Sequence, residues 1–451
     1  MKFWCQRAIL DGGVVAHSVV VDSDGGVITA LSPDTPPPPG AEQLTGMVIA
    51  GLGNAHSHAF HRALRARTQT DRGTFWTWRE LMYSAAERLT PESYRRLARA
   101  VYAEMALAGI TSVGEFHYLH HDRDGRPYAD PNAMGHALID AAADAGIRIT
   151  LLDACYLTAA VNGSPLAAGP QQRFGDGSVQ NWAARVELLA AEPPRPHAKV
   201  GAAIHSVRAV AREDMPVVAR WAAAHHAPLH VHACEQLAEI DACQAFYGQS
   251  PIEVLDHAGA LGPSTTVVHA THLRDHDIAL LRDTATGVCF CPTTERDLGD
   301  GIGPAAPLLD NPGHFCLGSD SQAMIDLFEE SRAVELDERL RTMRRGNFEA
   351  TRLLTAAARD GQLALGWHDA GSIAVGMRTD LVALDMGSVR TAGCGFSPET
   401  VVFAASAADV TDVVVDGEFV VRARRHTLVD DPAGQLAVEI DALTSRTGVL
   451  R

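Results

Sequence analysis

The sequence has 451 residues, 46% hydrophobic and 21% charged, with a formal net charge of −17. This excludes a disordered or fibrous chain and fits one barrel-sized domain with a smaller one beside it. The negative charge argues against nucleic acid or an anionic membrane as partner, so an anionic small-molecule substrate needs a local cationic pocket.

The opening "MKFWCQRAILDGGVVAH" lacks the apolar core of a signal peptide. No apolar run approaches the roughly eighteen residues of a membrane helix. Eight cysteines, at 5, 155, 234, 243, 289, 291, 316 and 394, form no CxxC pair. A reduced, cytoplasmic protein is expected, with Cys289 and Cys291 as packing residues of an apolar strand.

Residues 1–50 read as short strands. "GVVAHSVVVDSDGGVITAL" alternates and turns at "DSDGG", and "SPDTPPPPGAEQL" follows as a stiff connection. The middle of the chain alternates strand and helix. Eight apolar runs stand out: "MVIAGL", "ITSVGEF", "IRITLLD", "KVGAAI", "APLHVH", "TTVVHA", "GVCFC" and "HFCLGS". Most are separated by stretches of helical periodicity such as "PESYRRLARAVYAEMALAG". Near the end, "GSIAVGMRTDLVALDM" and "DVTDVVVDGEFVVRAR" are again strands. The expected fold is α/β: a (β/α)₈ barrel over residues 49–368, with a small β-sandwich domain formed by segments 1–48 and 369–451.

In such a barrel the C-terminal ends of the strands converge. Strand one ends in "AHSH", and side chains two apart share one face of a strand, so His56 and His58 can point at one ion. "PLHVHACEQ" ends strand five with His232 and Glu235, "VVHATH" ends strand six with His269, and "GSDS" follows strand eight with Asp320. His56, His58, His232 and Asp320 form a three-nitrogen, one-oxygen set suited to zinc and open to water; iron and manganese accept the same ligands. His230, one step deeper, reads as a supporting or core histidine.

This constellation resembles the amidohydrolase superfamily over nearly the whole chain, including the "GSIAVGMRTDLVALD" segment. No lysine ends strand four, where two-metal members carry one, so the resemblance implies a single metal and the deaminase branch. Glu115, ending strand two, then reads as structural or as an orienter of a ligand histidine, the alternative being a bridge between two metal ions. "FWTWRELMY" (75–83), "EFHYLHHDRDGRPYADP" (115–131), "HSVRAV" (205–210), "VHATH", "LGDGI" and "GSDS" are similar to the formimidoylglutamate deiminase family. That resemblance implies hydrolysis of N-formimino-L-glutamate to N-formyl-L-glutamate and ammonia in histidine degradation, by a homodimer. It implies that Asp320 accepts the proton of an attacking water, that His269 polarises or deprotonates that water, and that Glu235 protonates the leaving nitrogen. Arg208 would pair with a substrate carboxylate, with Tyr118, His205 and His61 donating hydrogen bonds.

Arg79 and Glu80 read first as a helix-surface ion pair, and Trp76 and Trp78 either as pocket walls or as loop packing. Three positions depart from the family pattern: His61 for glutamine, Gln322 for histidine, and Arg296–Asp297 in the strand-seven loop. His61 as a cation would bind a carboxylate more strongly, and Arg296 would either face the pocket or pair with Asp297 or Asp300. These departures leave a related formimino or guanidino dicarboxylate open, and a deaminase or chlorohydrolase acting on a nucleobase, nucleoside or triazine ring is a rival from the same branch. A catalytically dead scaffold on the same frame is the rival of another class.

Overall fold

A computed structural model of the chain describes residues 1–69, 75–309 and 311–444, the side chains of 75–77 apart. Strands β1 (Lys2–Ile9), β2 (Val15–Asp24), β3 (Val27–Ser32) and β4 (Glu42–Ala50) open it. The strands β5 (Leu52–Ser57), β6 (Ile110–His117), β7 (Arg148–Cys155), β8 (Ala198–Ser206), β9 (Leu229–Ala233), β10 (Thr265–His269), β11 (Gly287–Phe290) and β12 (Phe315–Leu317) pair in parallel, in chain order. Helices intervene, as a right-handed crossover requires. β5 through β7 and β9 through β12 are buried along their whole length, because helices cover one face and the barrel interior the other.

The sheet closes where Asp320, just past β12, bridges to Ser57 at the end of β5. Asp320 N–H donates to the His56 carbonyl at 3.0 Å, and His58 N–H donates to the Asp320 carbonyl at 3.1 Å. Gly318 permits this approach, since a Cβ there would lie 3.0 Å from His56 N and nearer still to its side chain.

β13 (Leu381–Leu384), β14 (Val410–Val415), β15 (Glu418–Arg422) and β16 (Arg425–His426) join β1–β4 in one eight-stranded sheet, ordered β16-β15-β14-β13-β4-β1-β2-β3. It is one sheet that curls on itself: Phe3 of β1 meets Phe419 of β15 edge-on at 5.9 Å, although three strands lie between them. Phe3, Val19, Leu44, Leu381 and Val414 share its core.

The run "MVIAGL" divides differently from the sequence expectation. Its first four residues lie in β4 of the small sheet, paired with β1 and β13, and the barrel strand starts at Leu52 rather than near residue 49. Gly51 makes the crossing, where a Cβ would collide with Thr111 and lie 2.8 Å from Asp380 Cβ. An apolar run carries no mark of which sheet it joins. No helix among the described residues is long and apolar enough to cross a membrane.

Candidate active site and metal centre

His56, His58, His232 and Asp320 meet at the barrel seam. His56 Nε2 lies 3.3 Å and His58 Nε2 3.4 Å from Asp320 Oδ1, and His232 Nε2 lies 3.0 Å from His56 Nε2. The tautomers of two rings follow from their partners. His58 Nδ1 faces the Phe116 carbonyl at 3.0 Å and His232 Nδ1 the His205 carbonyl at 2.9 Å. A carbonyl only accepts, so each Nδ1 carries the proton and each Nε2 offers a lone pair inward. Burial, reinforced by neighbouring imidazoles, holds all three histidines well below the usual imidazole range, the neutral state a ligand needs. For Asp320, burial alone would raise the carboxyl, but His269 and then His58 and His232 outweigh it and hold it low. His56 Nε2 and His232 Nε2 approach to 3.0 Å, a separation that needs a proton or a cation between them. A divalent cation satisfies both and balances the aspartate, so the donor set fits the expected metal.

Strand ends around this cluster are strained. Cys234, His269, Ala270, Asp320 and Gln322 all have positive φ, 60°, 72°, 50°, 41° and 60°. Left-handed backbone in non-glycine residues costs energy and gathers at functional sites.

His269 faces Asp320 on one side, Nε2 to Oδ2 at 3.8 Å, and Glu295 on the other, Nδ1 to Oε1 at 3.4 Å. Burial would depress this imidazole, but Glu235, Glu295 and Asp320 lift it to about 10. Glu235 is buried at the same pocket. Asp300 accepts a hydrogen bond from Gln236, and burial and then Glu235 push its carboxyl up to about 8.

One pocket is lined by His58, His61, Tyr118, His205, Arg208, His232, Glu235, His269 and Asp320, all expected from the sequence; His56 lies beneath it. Among the described residues the Arg208 guanidinium makes no hydrogen bond or ion pair. Glu239, Tyr156 and Glu235 raise its pKa against burial. Tyr118 O–H and His61 Nε2 are 2.8 Å apart, and His61 Nδ1 has no partner among the described residues. Burial lowers His61 to about 4, so it is a neutral hydrogen-bonding group, not the cation that would bind a carboxylate more strongly. Burial likewise keeps His205 neutral.

Two further expectations change. Arg79 lines the pocket and donates to Tyr83 O–H at 2.6 Å, while Glu80 is exposed. Arg296 pairs with Glu329 at 3.1 Å and Asp337 at 3.0 Å, away from the pocket, rather than with Asp297 or Asp300. Trp78 lines the pocket; the Trp76 side chain lies outside the described residues. His230 Nε2 donates to the Ala364 carbonyl at 3.0 Å, in the core below the ligands.

Tyr83, Tyr156, Phe174 and Glu295 also belong to this site and were not read from the sequence. The first three come from a helix and loops whose folding back over the barrel leaves no periodic signal. Glu295 stands in the quoted "TERDLGDG", in the first turn of helix Pro292–Leu298. A second buried group, His117, His120 and Asp153, also brings ligand atoms together. Both Asp153 oxygens already accept from Arg185 at 2.8 Å, so a cation there would face a guanidinium.

A sequence model of the amidohydrolase family matches residues 47–420. Formimidoylglutamate deiminase of Pseudomonas aeruginosa is 37% identical over 436 residues, 94% of this chain and 95% of that protein. The 8-oxoguanine deaminase of the same organism is 27% identical over 84% of each chain. Among solved structures, an amidohydrolase from Brucella melitensis superposes with a TM-score of 0.89 at 32% identity, covering 98% of this chain and 99% of the other. An adenosine deaminase from Xanthomonas campestris with bound zinc shares the fold, with a TM-score of 0.84 at 23% identity over 99% and 98%. With its parallel barrel, its seam of histidines and aspartate, and this likeness along nearly its whole length, the chain belongs to the amidohydrolase family and is a hydrolase acting on C–N bonds.

Proposed function

We propose that this hydrolase is a deiminase converting N-formimino-L-glutamate and water to N-formyl-L-glutamate and ammonia, in histidine degradation. His56, His58, His232 and Asp320 would hold a single divalent cation, zinc by preference. When bound, the cation supplies the Lewis acidity that brings the pKa of water from about 16 toward ~7. Asp320 stands where it can accept the proton released as water adds to the amidine carbon, and His269, which Glu235, Glu295 and Asp320 lift toward its cationic form, polarises that water. Glu235 delivers a proton to the imine nitrogen, so that it leaves as ammonia and the carbon becomes a formyl carbonyl. Positioned acid–base groups of this kind contribute ~10²–10⁴ in rate. Tyr118, His205 and neutral His61 bond the substrate's polar atoms.

The observation that carries the substrate assignment is Arg208. Its uncommitted guanidinium shares a pocket with the ligand cluster, and its planar fork suits a carboxylate. The 37% identity to the Pseudomonas deiminase supports the same choice. A second reading, deamination of a heterocyclic ring, draws support from the aromatic walls Trp78, Tyr118, Tyr156 and Phe174. Ammonia release from N-formimino-L-glutamate, N-guanidino-glutarate and purines, run with metal analysis, decides between them. Turnover of a purine but of neither dicarboxylate would overturn the proposal.

A further inference from the structure

The pocket does not end at Arg208. Arg79, Arg208 and Glu235 also line a second, outer cavity of about 500 Å³, against about 60 Å³ for the inner one. Most of its lining surface is apolar, with Asn162 and Gln236 adding polar groups. Ala238, Ala242, Ala245 and Phe246 of helix Leu237–Tyr247 recur at the spacing of one helical face. Ala160 and Val161, from the loop after β7, stand opposite. Phe246 leaves about half its surface uncovered, at 53% exposure.

Glu239, which lines the outer cavity beside Glu235, is buried. Its Oε2 accepts from the Glu235 N–H at 3.3 Å, and its Oε1 has no hydrogen-bond partner among the described residues. A doubly charged amidine that pairs with Arg208 has only its two methylenes to set against the alanine face and no spare N–H for Glu239. A mouth serving such a substrate alone gains nothing from an apolar wall of ligand-binding size.

We propose that the outer cavity extends the substrate site and takes an apolar group joined through an amide to a glutamyl carboxyl. The remaining carboxylate pairs with Arg208, the amide N–H meets Glu239, and the hydrocarbon covers the face of Ala238, Ala242 and Ala245. The substrate class is thereby widened to N-formimino-glutamyl amides with apolar amine parts, an inference that rests on the deiminase reading for the seat of the amidine.

The test is calorimetry with N-formyl-L-glutamate and its γ-benzylamide, the product-side ligands, on the metal-loaded protein and on Ala242→Trp, which fills the cavity. The benzylamide is expected to bind the unaltered protein at least tenfold more tightly than N-formyl-L-glutamate, about 1.4 kcal/mol. Ala242→Trp should erase that advantage while holding N-formyl-L-glutamate within twofold. Equal or weaker binding of the benzylamide, or an advantage that survives Ala242→Trp, overturns the proposal. Ala245→Trp, further out on the same face, repeats the test if circular dichroism shows Ala242→Trp misfolded. Calorimetry needs no turnover. Failure to release ammonia from N-formimino-L-glutamate would therefore sink the deiminase reading separately.

Discussion

The side-chain amide of Gln322 donates to the Ser57 hydroxyl at 2.8 Å, tying the loop that carries Asp320 to the strand end that carries His56 and His58. Ser57 passes the bond on to Glu115 Oε2 at 2.9 Å, while Glu115 Oε1 accepts from Ala59 N–H at 2.7 Å. Ser319 Oγ donates to Gln322 Oε1 at 2.8 Å, and Asn54 Nδ2 donates to Ser319 Oγ at 2.7 Å. Groups behind metal ligands typically govern affinity by ten- to a hundredfold. Gln322→Ala should therefore weaken cation retention by roughly that factor, measured by competition with a chelator. Stripping the metal should lower the melting temperature of the unaltered protein, because an ion that binds only the folded state stabilises it.

Glu235 lies outside the proposed ligand set, so Glu235→Gln should leave metal content unchanged. The rate should fall by ~10²–10⁴ if its proton delivery is the limiting loss. Metal analysis and single-turnover ammonia release, run on the same preparation, separate the two effects.

Removing the guanidinium by Arg208→Ala should lower kcat/KM for a dicarboxylate by about 2–3 kcal/mol, or roughly thirty- to a hundred-and-fiftyfold. Arg208→Lys, a point charge in place of a fork, should recover only part of it. A neutral ring substrate would be indifferent to both changes, which makes steady-state kinetics on each substrate the deciding measurement.

Asp176, outside the pocket lining, offers a stability test. It accepts from Arg185 at 2.8 and 3.0 Å and from His121 at 2.9 Å. Burial alone would raise its carboxyl, but these bonds hold it well below its ordinary 3.8. The folded chain therefore binds fewer protons here than the unfolded one. The contribution is full above about pH 4 and drains away as pH falls. Asp176→Asn should cost about 2–4 kcal/mol at pH 7, and its deficit against the unaltered protein should narrow as denaturant titrations move from pH 5 toward pH 2.

What the sequence disclosed depended on the kind of signal. His56, His58, His232, His269 and Asp320 were legible because each ends an apolar run, and a barrel turns strand ends into neighbours. Arg296 was not: its partners Glu329 and Asp337 lie on a helix that only tertiary packing brings near. The charge of His61 escaped because it depends on burial, which one residue's identity does not reveal. Tyr156 and Phe174 reach the pocket from loops without periodicity, and the alanines of the outer cavity look like any helix until the opposing loop is seen.

The seam has a consequence for how the protein is made. Asn54 and Ser319, bonded across it, stand 265 positions apart, so its closure is among the last long-range pairings available to a chain emerging from the ribosome. A nascent polypeptide short of Asp320 owns the imidazoles but not their carboxylate partner. The proposed cation site is therefore complete only once the barrel is whole.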